Sequence, residues 1–170
     1  MTTAQLIQGS FKSAHGILLQ TLADISEVSL KSVPAGANIQ PLQAILAHAV
    51  TDDDLIINGM IAKRQPITTP ALLEGTGVPL PAAPNLTPEW AASIDMKLPA
   101  FIEYAKKVFA STEDAIGSLT DEQLAAELDG PFGKRTVGAY ALDLALYHII
   151  GHSGEIAALK GIHGQKGLPF

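Results

Sequence analysis

The chain has no cysteine among its 170 residues. That excludes a disulfide, a cysteine-ligated zinc or iron–sulfur cluster and a cysteine nucleophile, and it fits a cytoplasmic protein. Charge is scarce: charged residues make up 16% of the chain and the net charge is -6. No cluster of Lys or Arg appears, so neutralisation of nucleic-acid phosphates is not expected. The first residues, MTTAQLIQGSFK, lack the charged-then-apolar order of a signal peptide. No apolar run reaches the ~18 residues of a membrane span. What the chain does have is apolar residues, at 47%. That is enough to bury a core, and residues 1–170 read as one globular domain.

The pattern is helical. Residues 3–30 read as a first helix, with Leu6, Ala14, Leu18, Leu22 and Ile25 as its buried stripe. Pro34 and Gly36 then mark a turn. Residues 39–63 read as a second helix, with Pro41 near its start and Leu42, Ile45, Leu46, Ala49 and Ile56 on its apolar face. Residues 65–88 hold six prolines, including Pro84, and two glycines, a density that no helix or central strand is expected to survive. This connection is either a passive strap or a lid over one end of the bundle. Thr87-Pro88-Glu89 signals a helix start, and Pro99 forces either a kink or a fresh start near Leu98. The third long helix runs to about Gly117, with Phe101, Ile102, Val108 and Phe109 inward. Thr120–Gln123 has capping-box spacing and opens a short helix to about Leu128. A turn over residues 129–133 leads to the fourth helix, residues 136–159, with Thr136 as its cap and Gly161 as its stop. The expected fold is all-α, a four-helix bundle with a long proline-rich connection between helices two and three.

The chemistry sits on the fourth helix. His148 and His152 are four residues apart, so both rings leave one face, close enough to share a metal ion. Glu155 lies on the same stripe. Two readings stand at this point: core histidines bonded to backbone carbonyls, or ligands. The pair is not an HExxH protease motif, because Ile149 stands where its glutamate would. On the second helix His48 falls among the apolar residues, aimed inward as a third ligand would be, and Asp52 follows one turn later. Asp52 reads as a ligand or as a support to His48, and Glu155 as a support or as a solvated helix-end acid. Asp53 and Asp54 read as a solvated helix edge. His15 has no recognisable partner and reads as a surface or internally satisfied histidine. Asp143 and Tyr147 lie near the pair but off its stripe. The glycines at 161, 164 and 167 follow a helix and do not make a dinucleotide fingerprint. His163 would reach a site only if the tail folds back.

Two stretches carry a resemblance. LAHAVTDDDLI places a histidine one turn before an acid, and TVGAYALDLALYHIIGHSGEIAALKGIHGQKGLPF has an H-x3-H-x-GE-I core ahead of a short LPF tail. With the order and length of the elements, they resemble the DinB-like (DinB/YfiT-like) family of four-helix-bundle metalloenzymes over essentially the whole chain. The resemblance implies a divalent metal, zinc or nickel, held by His48, His148 and His152. It implies enzymes that transfer low-molecular-weight thiols or isomerise with thiol help, and homodimers. The expected function is a metal-dependent enzyme on a small molecule, a hydrolase or thiol S-transferase that activates a water or a thiol. Asp52 and Glu155 are the candidates to orient a ligating ring or to take a proton. The alternative is a non-catalytic binding or stress-response protein of the same fold, its metal site structural or vacant.

Overall fold

The computed structural model describes residues 1–81 and 86–170. Pro84 of the proline-rich connection lies outside the described residues. In chain order the elements begin with α1 (Thr3–Thr21), α2 (Glu27–Lys31) and α3 (Leu42–Asp54), which continues as a π segment (Leu55–Ile61). After α4 (Pro70–Leu73), α5 (Pro88–Ser93), α6 (Leu98–Gly117) and α7 (Asp121–Ala125) comes a hairpin of β1 (Glu127–Gly130) and β2 (Gly133–Thr136). Then follow α8 (Val137–Tyr140), a second π segment (Ala141–Leu146) and α9 (Tyr147–Ile162). The four long helices form the bundle: α1 and α3 each pack against both α6 and α9.

The local start signals work as read. Thr120 and its Gln123 form a capping box, Thr87 and Thr136 accept from Trp90 and Ala139 backbone N–H groups, and Pro99 sits in the first turn of a new helix rather than at a kink. Several boundaries differ. The first helix stops at Thr21, because Lys160 reaches over from α9, is buried, and donates to the Thr21 carbonyl and to Asp24. A cation on the last free carbonyls ends a helix well. Ser26 then caps α2. The α1 stripe also differs: Ile7 and Phe11 face inward, with Ala14 and Leu18, while Leu6 faces solvent. The short helix ends at Ala125, and the expected turn at 129–133 is the tip of an exposed antiparallel hairpin. Tyr140 anchors that hairpin: its hydroxyl donates to the Gly133 carbonyl and accepts from Phe132 N–H. The fourth helix passes through a π segment and runs beyond Gly161. Its stop is Gly164, at φ 75°.

The proline-rich connection is bonded in place. One helical turn survives within it, because Pro70 occupies a first-turn position behind the Thr69 cap, where proline costs nothing. Its start is held by Asp54, whose carboxylate accepts from Ile67 N–H (3.2 Å), Thr68 N–H (2.6 Å) and the Asn58 amide (2.7 Å). Further on, Asp95 N–H donates to the Gly77 carbonyl and Lys97 N–H to the Thr76 carbonyl. Gln43 of α3 braces the same region, donating to Ile94 O and accepting from Met96 N–H.

Asp53 and Asp54 are therefore not a solvated edge, since both are buried. Asp53 accepts from the Thr112 hydroxyl at 2.8 Å and lies 3.4 Å from His15 Nε2. His15 is buried too, stacked on Phe109, with its Nδ1 2.8 Å from Glu113 Oε1. Of its two readings the surface one fails: the ring is internal, bonded at Nδ1 and left without a hydrogen bond at Nε2. Burial alone would push its pKa down. The bonds and charges of Asp53 and Glu113 outweigh burial and hold it above the ordinary 6.5.

Two outcomes follow for stability. A Cβ at Gly77 would stand 1.9 Å from the Asp95 carbonyl oxygen at φ +75°, whereas one at Gly75, φ +78°, would meet nothing. Gly75→Ala is expected to lose about 1 kcal/mol from backbone strain and Gly77→Ala more than about 3, read by urea unfolding. Equal losses would show that the strap can shift at no cost. For His15 the folded pKa is the higher one. Its contribution is complete below the unfolded value and is lost as pH rises through the folded value. The melting temperature of metal-free protein should fall as pH rises above about 6.5, and His15→Gln should flatten that slope. An unchanged slope in the variant would refute the coupling.

Candidate metal centre

The centre is built where α3 meets α9. His48 comes from α3, and His148 and His152 come from successive turns of α9. Their rings stand nearly perpendicular to one another, at 79°, 81° and 87°. Each turns Nε2 to a common point: His148 Nε2 lies 3.0 Å from His48 Nε2 and 3.1 Å from His152 Nε2. Among the described residues, these three form the one group of His, Asp or Glu placed to hold a metal ion, and no fourth ligand atom joins them.

The outer nitrogens decide what the inner ones offer. His152 Nδ1 is 2.5 Å from Glu155 Oε2, and His48 Nδ1 is 3.4 Å from Asp52 Oδ2. A carboxylate at Nδ1 selects the tautomer with its proton there and leaves Nε2 with a lone pair. Burial, reinforced by the neighbouring rings of His152 and His48, pushes His148 down to about 3. It is a neutral ring at physiological pH. Its Nδ1 is buried without a hydrogen-bond partner.

These facts test whether a cation fits. His148 Nε2 faces two other ring nitrogens, at 3.0 and 3.1 Å, and a single proton cannot satisfy both contacts. A proton on His148 Nε2 serves one neighbour well and leaves the other lone pair opposed. Ligand nitrogens about 2.0–2.1 Å from a tetrahedral zinc would stand roughly 3.3 Å from one another. The observed spacings are close to that, so the donor set fits a divalent ion. The site also reaches solvent, since the His48 side chain is 14% exposed and that of His152 is 19% exposed.

The other candidates lie elsewhere. His163 caps the end of α9 about three turns beyond His152 and bonds Ser32 at 3.0 Å. The tail does fold back, but Gln165 takes it to Asp24, Ser26 and Ser29, away from the three rings. Asp143 pairs with Arg135 at the surface, and Tyr147 is exposed.

Two π segments flank the centre, and the sequence pattern does not announce either. One follows Asp52–Asp54 on α3 and the other precedes His148, and the two touch. A π turn holds an extra residue, widens the helix and recurs at functional sites. Here they open a cavity of about 530 Å³ beside Asp52, walled by Leu55, Ile56, Met60, Leu144 and Pro131. A second cavity, of about 410 Å³, lies on the other side of Leu55, between α3 and the proline-rich connection. Among the described residues, no helix is long and apolar enough to cross a membrane.

No curated protein matches the chain. Two solved structures match nearly all of it. One is a conserved protein from Enterococcus faecalis, 22% identical, covering 97% of this chain and 99% of that one at a TM-score of 0.78. The other is a DinB-like protein from Bacillus subtilis, 23% identical, covering 97% and 96% at a TM-score of 0.65. At such identities the likeness shows the fold alone. The model of the DinB superfamily matches residues 10–156, most of the chain, and the protein belongs to that superfamily.

Proposed function

We propose that this is a metal-dependent enzyme acting on a small molecule, with zinc or nickel held by His48, His148 and His152. One observation carries the reading: three imidazole Nε2 atoms converge on a solvent-reaching point where, among the described residues, no fourth protein ligand closes the shell. Three ligands and an open side characterise catalytic rather than structural zinc. The ion would supply Lewis acidity, which is what a hydrolase or a thiol S-transferase needs to activate a water or a low-molecular-weight thiol at neutral pH.

The chain's own groups divide the remaining work. Glu155 holds the Nδ1 proton of His152 and so fixes the direction of that ring, and Asp52 stands behind His48 Nδ1 at 3.4 Å. Glu155 is the more exposed acid, and its second oxygen is free to accept a proton from a reactant on the open side. His148 needs no such partner to stay neutral, because burial keeps it so.

Untagged protein made without a nickel column should carry about one metal per chain by elemental mass spectrometry. His48→Ala and His152→Ala should lose it. Wild-type protein that takes up no zinc or nickel on incubation would sink the proposal. Glu155→Gln should fold normally and bind zinc about 10- to 100-fold more weakly in a chelator competition. Unchanged affinity would remove Glu155 from the site.

A further inference from the structure

Asp52 faces two ways. It is 8% exposed, and among the described residues its ionisable partner is His48, whose Nδ1 lies at 3.4 Å, beyond a good hydrogen bond. The same residue lines both cavities beside the centre. Both are chiefly apolar: Leu55, Pro66, Leu80 and Pro81 wall the smaller, and the π segments wall the larger. Among the described residues, no Lys, Arg or His lines either one. Asp54 also borders the smaller cavity, but Ile67, Thr68 and Asn58 already occupy its carboxylate. Asp52 is thus a nearly buried carboxylate aimed into apolar space, with no cation to meet it.

We propose that these cavities form the substrate pocket of the histidine centre, and that the pocket takes a small molecule with an apolar body and a cationic or N–H-donating head, the head on Asp52. A carboxylate set among apolar walls offers an acceptor and a negative charge to whatever enters, so a ligand that brings a donor or a cation gains what one without it cannot. A carboxylate or phosphate in the same place would meet like charge at low dielectric. The volume suits an occupant of this kind, since small-molecule pockets run to about 300–1,000 Å³. The apolar walls hold the body, and Asp52 joins the head to the ring of His48. Among thiols and hydrolysable substrates, the pocket therefore selects amines and amides over acids.

The assignment as a substrate pocket rests on the proposed metal function, whereas the charge preference does not. The test titrates the full-length chain with benzylamine, benzyl alcohol and benzoate, followed by ¹H–¹⁵N NMR, in zinc-loaded and zinc-free protein. Benzylamine should shift the amides of Thr51, Asp52, Leu55 and Thr68 and bind at least tenfold more tightly than benzoate in both forms. Leu55, which lines both cavities and is 42% exposed, tolerates a longer side chain. Leu55→Arg should reverse the order in favour of benzoate. Asp52→Asn should erase the preference for the amine in zinc-free protein. Benzoate binding as tightly as benzylamine in zinc-free protein, or shifts confined to another face, would overturn the proposal. In cobalt-loaded protein, saturating benzylamine should change the visible spectrum. Binding in the cavity with no such change would show that the pocket does not serve the centre. A chain that takes up no metal yet keeps the amine preference would count against the metal reading and uphold the charge preference.

Discussion

Three consecutive carboxylates on α3 are out of water: Asp52, Asp53 and Asp54 are 8%, 1% and 0% exposed. Burying a charge is expensive unless partners meet it. Successive residues on a helix point about 100° apart, so three adjacent acids need three different sets of partners. Asp52 turns to His48 and the cavities. Asp53 turns across the bundle to His15 of α1 and Thr112 of α6. Asp54 turns to the backbone of the proline-rich connection. One short run of acid thereby ties the histidine centre, the long helices and the strap to a single turn of helix. A shift of α3 by a fraction of an ångström would be felt at all three.

The strap gains its meaning from that arrangement. Six prolines take six donors from residues 65–88, and within 65–81 the regular structure is the single turn Pro70–Leu73. Two of the N–H groups that remain are given to Asp54. Pro66 and Pro81 then present rigid apolar surface to the cavity, with little conformational entropy left to lose when a ligand arrives. A glycine-rich loop in that place would have to be ordered by each ligand. The π segments contribute from the other side by widening α3 and the fourth helix where they meet.

Spacing in residues 136–159 and 39–63 put His148, His152 and His48 forward as candidates and the family resemblance joined them as a set, while Thr87, Thr120 and Thr136 disclosed their helix starts. These signals are local: an i→i+3 bond or a one-turn repeat is complete within a few residues. What escaped depends on partners far away in the chain. Thr21 ends α1 because of Lys160, and Asp53 is buried because His15 and Thr112 wait for it. An acidic run reads as solvated when nothing nearby in sequence compensates it. The hairpin escaped because ELDG and GKRT alternate nothing and bury little. The π segments escaped because an extra residue per turn leaves no periodic mark in stretches as largely apolar as LIINGMI and ALDLAL.

The two histidine clusters show why the surroundings of a ring, not its presence, decide its use. His15 and His148 are both withdrawn from water, which by itself disfavours charge in each. His15 faces two acids, and its pKa rises. Its two nitrogens are turned to Glu113 and Asp53 on other helices, so this cluster serves as a brace between helices. His148 faces two imidazoles, and its pKa falls to about 3. A ring that refuses a proton at that depth keeps its lone pair across the physiological range, while Asp52 and Glu155 stand behind the other two rings rather than in front of them. The acids around His15 compete with a metal for the ring; the acids around the centre orient rings toward one. That difference in placement is what makes one cluster a brace and the other a candidate for chemistry.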